Sequence, residues 1–328
     1  MHHVSNDTPT PVYFKALTSA AILVLSIFHF SPPACAQAFS QLVQAAPGID
    51  IPYAPAPAHA TLYTAAPGLN VYFLNVGQGD AIYLELPGGQ TTLIDGGPSA
   101  SATGSLAQFL TEKKVTKIDH VVLTHPHSDH YTGLQYVFSN IQVGDFYDTR
   151  MDNKNATADN ALRDQVKSLN IPTFYPAPDD HLNWGGDGLD IKVFNSCPEP
   201  VESSSSNDIN NCSITLKVSY KNTSLLLTGD TQNDAETRLV ERYGAELKAD
   251  VLKVGHHGSK YSSTDLFLGA VRPTRAYIEV GKNNYGHPTQ AALDRLLRSG
   301  AKVFRTDLDG TQEFSAPAPV QPSDITVE

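Results

Sequence analysis

Cysteine and basic residues are scarce in this chain, and so are long apolar runs. Three cysteines stand in 328 residues, Cys35, Cys197 and Cys212, which leaves one pair once Cys35 is assigned to a leader. Lys and Arg number 23 against 34 Asp and Glu, a formal charge of −11. Non-specific grip on nucleic acid is mostly phosphate neutralisation by Lys and Arg. Bulk electrostatics therefore opposes that mode and leaves only a local basic groove. The apolar stretch from Ala16 to Phe30 is shorter than the roughly 20 residues a spanning helix needs. No internal repeat is visible. What is present is an ordinary globular composition, 41% hydrophobic and 17% charged, with enough apolar material for a substantial core.

Residues 1–36 read as a secretory signal peptide. Lys15 precedes an apolar run containing AAILVLSIF, and SPPACA ends in the small-x-small triplet Ala34-Cys35-Ala36. Cleavage after Ala36 predicts an exported protein, periplasmic or extracellular, with no stable membrane span once the leader is gone. Pro-Pro-Ala before Cys35 lacks the aliphatic residue of a lipoprotein signal. In an exported chain the remaining Cys197 and Cys212 are more often a disulfide than two free thiols. Residues 37–68, with APGIDIPYAPAPAHA, form a Pro/Ala-rich linker and 317–328 a flexible tail of the same character. Between them, 69–316 is one candidate domain.

Its pattern is strands first, then alternating strands and helices. Val71 to Val76 and Ala81 to Leu86 flank the turn GQGD as a hairpin, and TTLIDGG is a third strand ending in a turn. Ser105 to Lys114 has helical periodicity, and Asp119 to Leu123 is a short buried strand. A helix over 158–169 and a strand over Leu189 to Phe194 follow. SITLKVSY and TSLLLTGD pair across YKN. Helices through Asp234 to Tyr243, around Asp265 to Ala270 and from Gln290 to Ser299 alternate with ADVLKV, RAYIEV and AKVFRT. Two successive β-then-α halves fit two facing sheets with helices outside.

The chemistry begins in LTHPHSDHYTG, where His125, His127, Asp129 and His130 fall within six positions behind Val121-Val122-Leu123. A buried strand delivers them at its end, and residues two apart on an extended segment point the same way, which pairs His125 with His127. Imidazole and carboxylate suit zinc, and a catalytic site keeps a position open for water or substrate. Asp129 and His130 face a second position, so the spacing suits two metals about 3.5–4 Å apart. Asp230 in LLLTGD is likewise a carboxylate delivered after an all-apolar strand.

HPHSDH resembles the HxHxDH signature of the metallo-β-lactamase fold. LNVGQGD, LIDGG, LLLTGD, LKVGHHGS, VGKNNYGHP and RTDLDG stand in the order seen in the metallo-β-lactamase-like domain of the ComEC competence proteins, of which this chain resembles a stand-alone form. The resemblance covers about Val71 to Phe314. It implies an α/β protein with the αββα four-layer fold. It also implies two divalent ions, zinc or manganese, with His125 and His127 on the first, Asp129 and His130 on the second and Asp230 bridging. One histidine of GHHGS completes the second site. His256 and His257 are not separable from sequence; an extended strand would turn them opposite ways, and His256 is taken as the ligand with His257 toward substrate. Asp80 of GQGD and Asp95 of LIDGG are carboxylates that orient ligand histidines.

One departure stands out. Many members carry a third histidine for the first metal just before the strand SITLKVSY, where this chain has Asn210-Asn211-Cys212-Ser213. Cys212 as a thiolate, Asn211 or water are the replacements in reach, and a thiolate at Cys212 competes with its disulfide. An oxygen-rich site suits manganese. ComEC-type domains generally have an aspartate where this chain has His127, which brings it nearer the full hydrolase signature.

Two metals lower the pKa of water and stabilise charge on attacked and leaving oxygens, which serves phosphodiesters, lactones and β-lactams alike. Ser259 and Lys260 after the histidine pair, and Lys282, Asn283 and His287 in GKNNYGHP, suit phosphate oxygens, with Asp129 catalytic and His287 the general acid. The expectation is an exported metal-dependent phosphodiesterase or nuclease using a metal-activated water, with DNA as a candidate substrate. The alternatives are a lactonase or β-lactamase-type hydrolase, and a non-catalytic binding module that kept the fold.

Overall fold

The structure, a computed structural model, describes residues 68–316. The expected leader, all but the last residue of the expected linker and the expected tail lie outside the described residues. Fifteen strands are described. They are β1 Leu69–Phe73, β2 Ile82–Glu85, β3 Thr91–Ile94, β4 Lys117–Val122, β5 Gln142–Tyr147, β6 Met151–Asn153, β7 Thr173–Phe174 and β8 Leu189–Asn195, followed by β9 Val201–Ser203, β10 Thr215–Tyr220, β11 Thr223–Leu227, β12 Val251–Lys253, β13 Arg275–Ile278, β14 Lys302–Arg305 and β15 Gln312–Ala316.

Seven of these form one sheet in the order β15-β1-β2-β3-β4-β5-β7, and six form a second in the order β14-β13-β12-β11-β10-β8. Alternation along the strands explains why both faces are dry. In β1, Leu69, Val71 and Phe73 point into the layer between the sheets, where they meet Leu216, Val218, Leu225 and Leu227 of the second sheet. Tyr72 points the other way, toward Leu106, Leu110, Leu134 and Val137 on the helices Ser105–Glu112 and Ser128–Asn140. The second sheet is covered by Leu239, Phe267, Leu268 and Leu296 on the helices Asn233–Tyr243, Asp265–Val271 and Gln290–Arg298. Stacked rings of Phe73 and Tyr277, with centroids 4.2 Å apart, bridge the two sheets. This is the αββα sandwich.

The hairpin over Tyr220 to Thr223 forms as expected. Several elements were not anticipated, among them β5 and β7, which extend the first sheet beyond β4. β15 returns to pair with β1 and closes that edge. β6 pairs with β9 in a small separate sheet. The helix Ser206–Asn211 sits within the polar SSSSNDINN stretch, and the helix Ser128–Asn140 begins inside the histidine cluster. That last helix lies unusually close to the turn after β3. A Cβ on Gly133 would fall 1.9 Å from the Gly96 carbonyl oxygen, so only glycine allows the approach that sets His130 against Asp95.

Candidate metal centre

All the chemistry-bearing residues gather where strands end. Parallel pairing of β3, β4 and β5, and of β11 through β14, puts the carboxyl ends of both sheets on one side, where open α/β sheets bind ligands. The turn after β3 carries Asp95, the segment after β4 carries His125 to His130, and the turn after β11 carries Asp230. The turn after β12 carries His256 and His257, and the loop between β1 and β2 adds Asp80.

Asp230 is the hub. One oxygen, Oδ2, lies 3.4 Å from His130 Nε2, 3.5 Å from His257 Nε2, 3.8 Å from His125 Nε2 and 3.8 Å from His256 Nε2. On one side of it His125 Nε2 and His127 Nδ1 face each other at 3.0 Å; ligands about 2.0–2.1 Å from a shared tetrahedral ion stand at nearly that separation. On the other side His257 Nε2 lies 3.4 Å from Asp129 Oδ2. Compact donor groups form from His125, His130 and Asp230, and from Asp129, His130 and His257.

The histidine pair does not lie on an extended strand. β12 stops at Lys253, and Gly255–Gly258 is a tight turn in which His256 and His257 both take left-handed backbone, φ 47° and 52°. The premise of an extended strand therefore fails. His257, not His256, enters the compact donor groups. It is buried, and its Nδ1 faces the Glu279 carbonyl at 2.9 Å and Asp80 Oδ1 at 3.2 Å. His256 stays partly open, its ring 5.1 Å from that of His287. Two successive non-glycine residues in this conformation cost about 1–3 kcal/mol each, a strain typical of functional sites.

The supporting carboxylates are buried. Asp95 Oδ2 accepts from His130 Nδ1 at 2.8 Å, and both Asp95 oxygens accept from Thr124, at 2.8 Å from the amide and 2.7 Å from the hydroxyl. Burial raises Asp95 above the usual carboxylate range even against His130. Burial opposes the charge on His130, yet Asp230 and Asp95 lift it well above the ordinary imidazole value. Asp230 is buried too, but His257, His130 and His256 outweigh that and hold it well below the usual range. Asp80 is lowered against burial by Lys253 and His257. The buried Lys253 ammonium pairs with Asp80 at 2.5 Å, and Glu279 and Asp230 act on it as well.

The donors fit divalent ions on a second ground. His130 Nε2, His257 Nε2 and Asp230 Oδ1 are buried with no hydrogen-bond partner, although buried polar atoms are nearly always satisfied. A cleft of about 240 Å³ opens onto them, lined by His127, Asp129, Asp230, His256, His257 and His287 together with Gln78, Ser206 and Tyr285.

Of the residues expected to touch substrate, His257 lines this cleft while Ser259, Lys260, Lys282 and Asn283 do not. Ser259 is buried and its hydroxyl accepts from Tyr261 N at 3.3 Å. Lys260 and Lys282 are exposed. The Asn283 amide is occupied by its own loop, donating to the Gly281 and His287 carbonyls at 2.8 Å each and accepting from Tyr285 N and His287 N at 3.0 Å each. Burial and the His256 and His257 rings push His287 down to about 4. That makes it a neutral imidazole near pH 7. Cys197 and Cys212 are joined in a disulfide, so Cys212 offers no thiolate.

Residues 74–194 match the metallo-beta-lactamase superfamily. The chain carries a metallo-β-lactamase-superfamily domain of the ComEC-like kind. It is 34% identical over 225 residues to competence protein ComA of Neisseria gonorrhoeae, covering 68% of this chain and 29% of that protein. It is 30% identical over 291 residues to ComE operon protein 3 of Bacillus subtilis (strain 168), covering 76% and 34%. The chain thus spans about a third of the length of the curated relatives it matches. Among solved structures a CmlA beta-hydroxylase mutant superposes with a TM-score of 0.50 at 13% identity, over 92% of this chain and 60% of that one, a likeness of fold alone.

Three residues of this metallo-β-lactamase-like site carry no motif signal of their own. Lys253 reads as an ordinary strand lysine yet is fully buried with Nζ 2.5 Å from Asp80. Glu279 accepts from Ala81 N at 2.9 Å through Oε1, and burial with the nearby Asp80 charge raises it well above the usual range. Ser213 Oγ stands 3.3 Å from His125 Nδ1 and accepts from Asp230 N at 3.0 Å. A charged residue inside an apolar strand, as in VLKV, is the one signal that marks Lys253.

Proposed function

We propose that the protein is an exported phosphodiesterase or nuclease that uses two divalent metal ions, zinc or manganese, in the periplasm or outside the cell. The observation that carries the reading is the set of buried, unpartnered donors, His130 Nε2, His257 Nε2 and Asp230 Oδ1, at the foot of an open cleft. Similarity to competence proteins supports DNA as the substrate. Among the described residues no helix is long and apolar enough to cross a membrane.

In this reading His125 Nε2 and His127 Nδ1 would hold the first ion and Asp129, His130 and His257 the second, with Asp230 available to both. When bound, the two ions supply an activated water and offset charge on the attacked and leaving oxygens. Asp95 fixes His130 through Nδ1, and the Glu279 carbonyl with Asp80 fixes His257 through Nδ1, so each presents Nε2 to the centre. Asp129 is half-open to the cleft and is the carboxylate placed to align the attacking water. His287, neutral at the cleft wall, is placed to hydrogen-bond the leaving oxygen through its ring N–H.

One observation favours the second reading, a lactonase or β-lactamase-type hydrolase: no Lys or Arg lines the cleft, where a polyanion would call for one. Metal-loaded protein incubated with single-stranded and duplex DNA decides between them. Cleavage that disappears in Asp129→Ala and His125→Ala with secondary structure intact is expected. No cleavage with zinc or manganese, alongside turnover of a lactone or β-lactam, sinks the nuclease reading.

A further inference from the structure

The first ion has a gap in its donor set. Beyond the shared Asp230 it is offered two nitrogens, His125 Nε2 and His127 Nδ1, against three donors for the second ion, Asp129, His130 and His257. The histidine that would complete it is absent from Asn210-Asn211-Cys212-Ser213, and three of those four side chains are committed elsewhere. Cys212 is in the disulfide. Asn211 Oδ1 accepts from Gln232 N at 3.0 Å. Ser213 Oγ sits on Nδ1 of His125, the nitrogen turned away from His127, and also accepts from Asp230 N.

Asn210 is the exception. It is fully buried at the end of the helix Ser206–Asn211. Its Nδ2 lies 3.5 Å from His256 Nδ1, and its side chain stands beside His127. Its Oδ1 is buried and has no partner. Leaving a buried amide oxygen without a partner is costly, and an electrophile beside it removes that cost.

We infer that Asn210 Oδ1 is the missing ligand of the first metal, an oxygen where metallo-β-lactamase-fold enzymes with a third histidine have nitrogen. The inference rests on the two-metal reading above. It makes the first site two nitrogens and two oxygens, harder than a histidine-rich site and correspondingly more tolerant of manganese relative to zinc. The helix and the disulfide at Cys212 hold Asn210 in place, so the ligand is delivered by a segment outside the motif that carries the histidines.

Metal titration of the full protein by calorimetry, with elemental analysis of stoichiometry and the electron paramagnetic resonance of bound manganese, tests this without any substrate. The wild type is expected to bind two ions. Asn210→Ala should weaken one of the two steps at least about tenfold, the scale on which even outer partners of metal ligands act, and leave the other unchanged. Asn210→Asp, which keeps an oxygen, should retain both steps and serves as the folding control. Asn210→His should tighten zinc at the weaker step and lower the manganese-to-zinc affinity ratio. Two unaltered steps in Asn210→Ala overturn the assignment while leaving the two-metal reading intact. A wild type that binds a single ion overturns both.

Discussion

Lys253 Nζ lies 2.5 Å from Asp80 Oδ2 with both side chains buried, and Asp80 Oδ1 in turn lies 3.2 Å from His257 Nδ1. A lysine from the second sheet thus sets the charge of a carboxylate from the loop between β1 and β2, which sets the ring of a histidine at the centre. Removing one partner of a buried pair costs about 3–5 kcal/mol. Lys253→Met should lose that much in urea unfolding, and Asp80→Asn added to it should recover most of the loss. Metal affinity should fall roughly 10–100-fold in the single variant, because His257 loses its anchor. An unfolding midpoint unchanged by Lys253→Met contradicts the pairing.

The two adjacent histidines are expected to behave differently. His257 Nε2 faces both Asp129 and Asp230, at 3.4 and 3.5 Å, while His256 Nε2 reaches only Asp230 at 3.8 Å. His257→Ala should cost at least about 100-fold in affinity for one ion, and His256→Ala less than about tenfold, taking the effect of outer partners as the dividing scale. Equal losses measured by metal competition would mean that both ligate.

The disulfide should matter for stability. Its cysteines are 15 residues apart, and closing a loop of that size is worth about 3 kcal/mol in the chain-entropy account. Cys197→Ser with Cys212→Ser should lower the unfolding free energy by about that amount. A reductant that leaves the melting temperature of the wild type unmoved would argue against the bond.

Acid should destabilise the fold through His120, well away from the metal centre. This residue is 4% exposed, stacks on Trp184 with centroids 5.2 Å apart, and makes no hydrogen bond through either nitrogen, with Asp145 Oδ2 3.4 Å away. Burial lowers its pKa against the pull of Asp145 and Asp119. The unfolded chain therefore takes up a proton first as pH falls below about 6.5, the ordinary imidazole value. Stability is full above that pH and is lost on going down toward the folded value, where the loss levels off. His120→Phe should flatten this part of the stability profile measured by urea unfolding at several pH values, and an unchanged slope would remove His120 as the cause.

Much of the centre could be read in one dimension because its ligands follow apolar runs. Val121-Val122-Leu123 and Leu225-Leu226-Leu227 declare buried strands, and a buried strand must deliver whatever follows it to a sheet end. The delivery of His125, His127, Asp129, His130 and Asp230 to strand ends was legible on that ground, as was the layered fold from its order of strands and helices. The choice between His256 and His257 was not, since it turns on left-handed backbone that no local pattern announces. The helix Ser128–Asn140 was hidden for a related reason: its polar first turn is spent on the site, and Gly133 answers a close contact with Gly96 that exists only in three dimensions.

Sequence by itself therefore determined which strands deliver candidate donors at their ends, because burial periodicity is a local property of the chain. Only the tertiary structure decided that Lys253, Asp80 and Glu279 support His257, and that Asn210 is the uncommitted side chain beside His127. Those relations depend on which buried polar atoms are left without partners. That count can be made only once segments more than 80 residues apart have packed together.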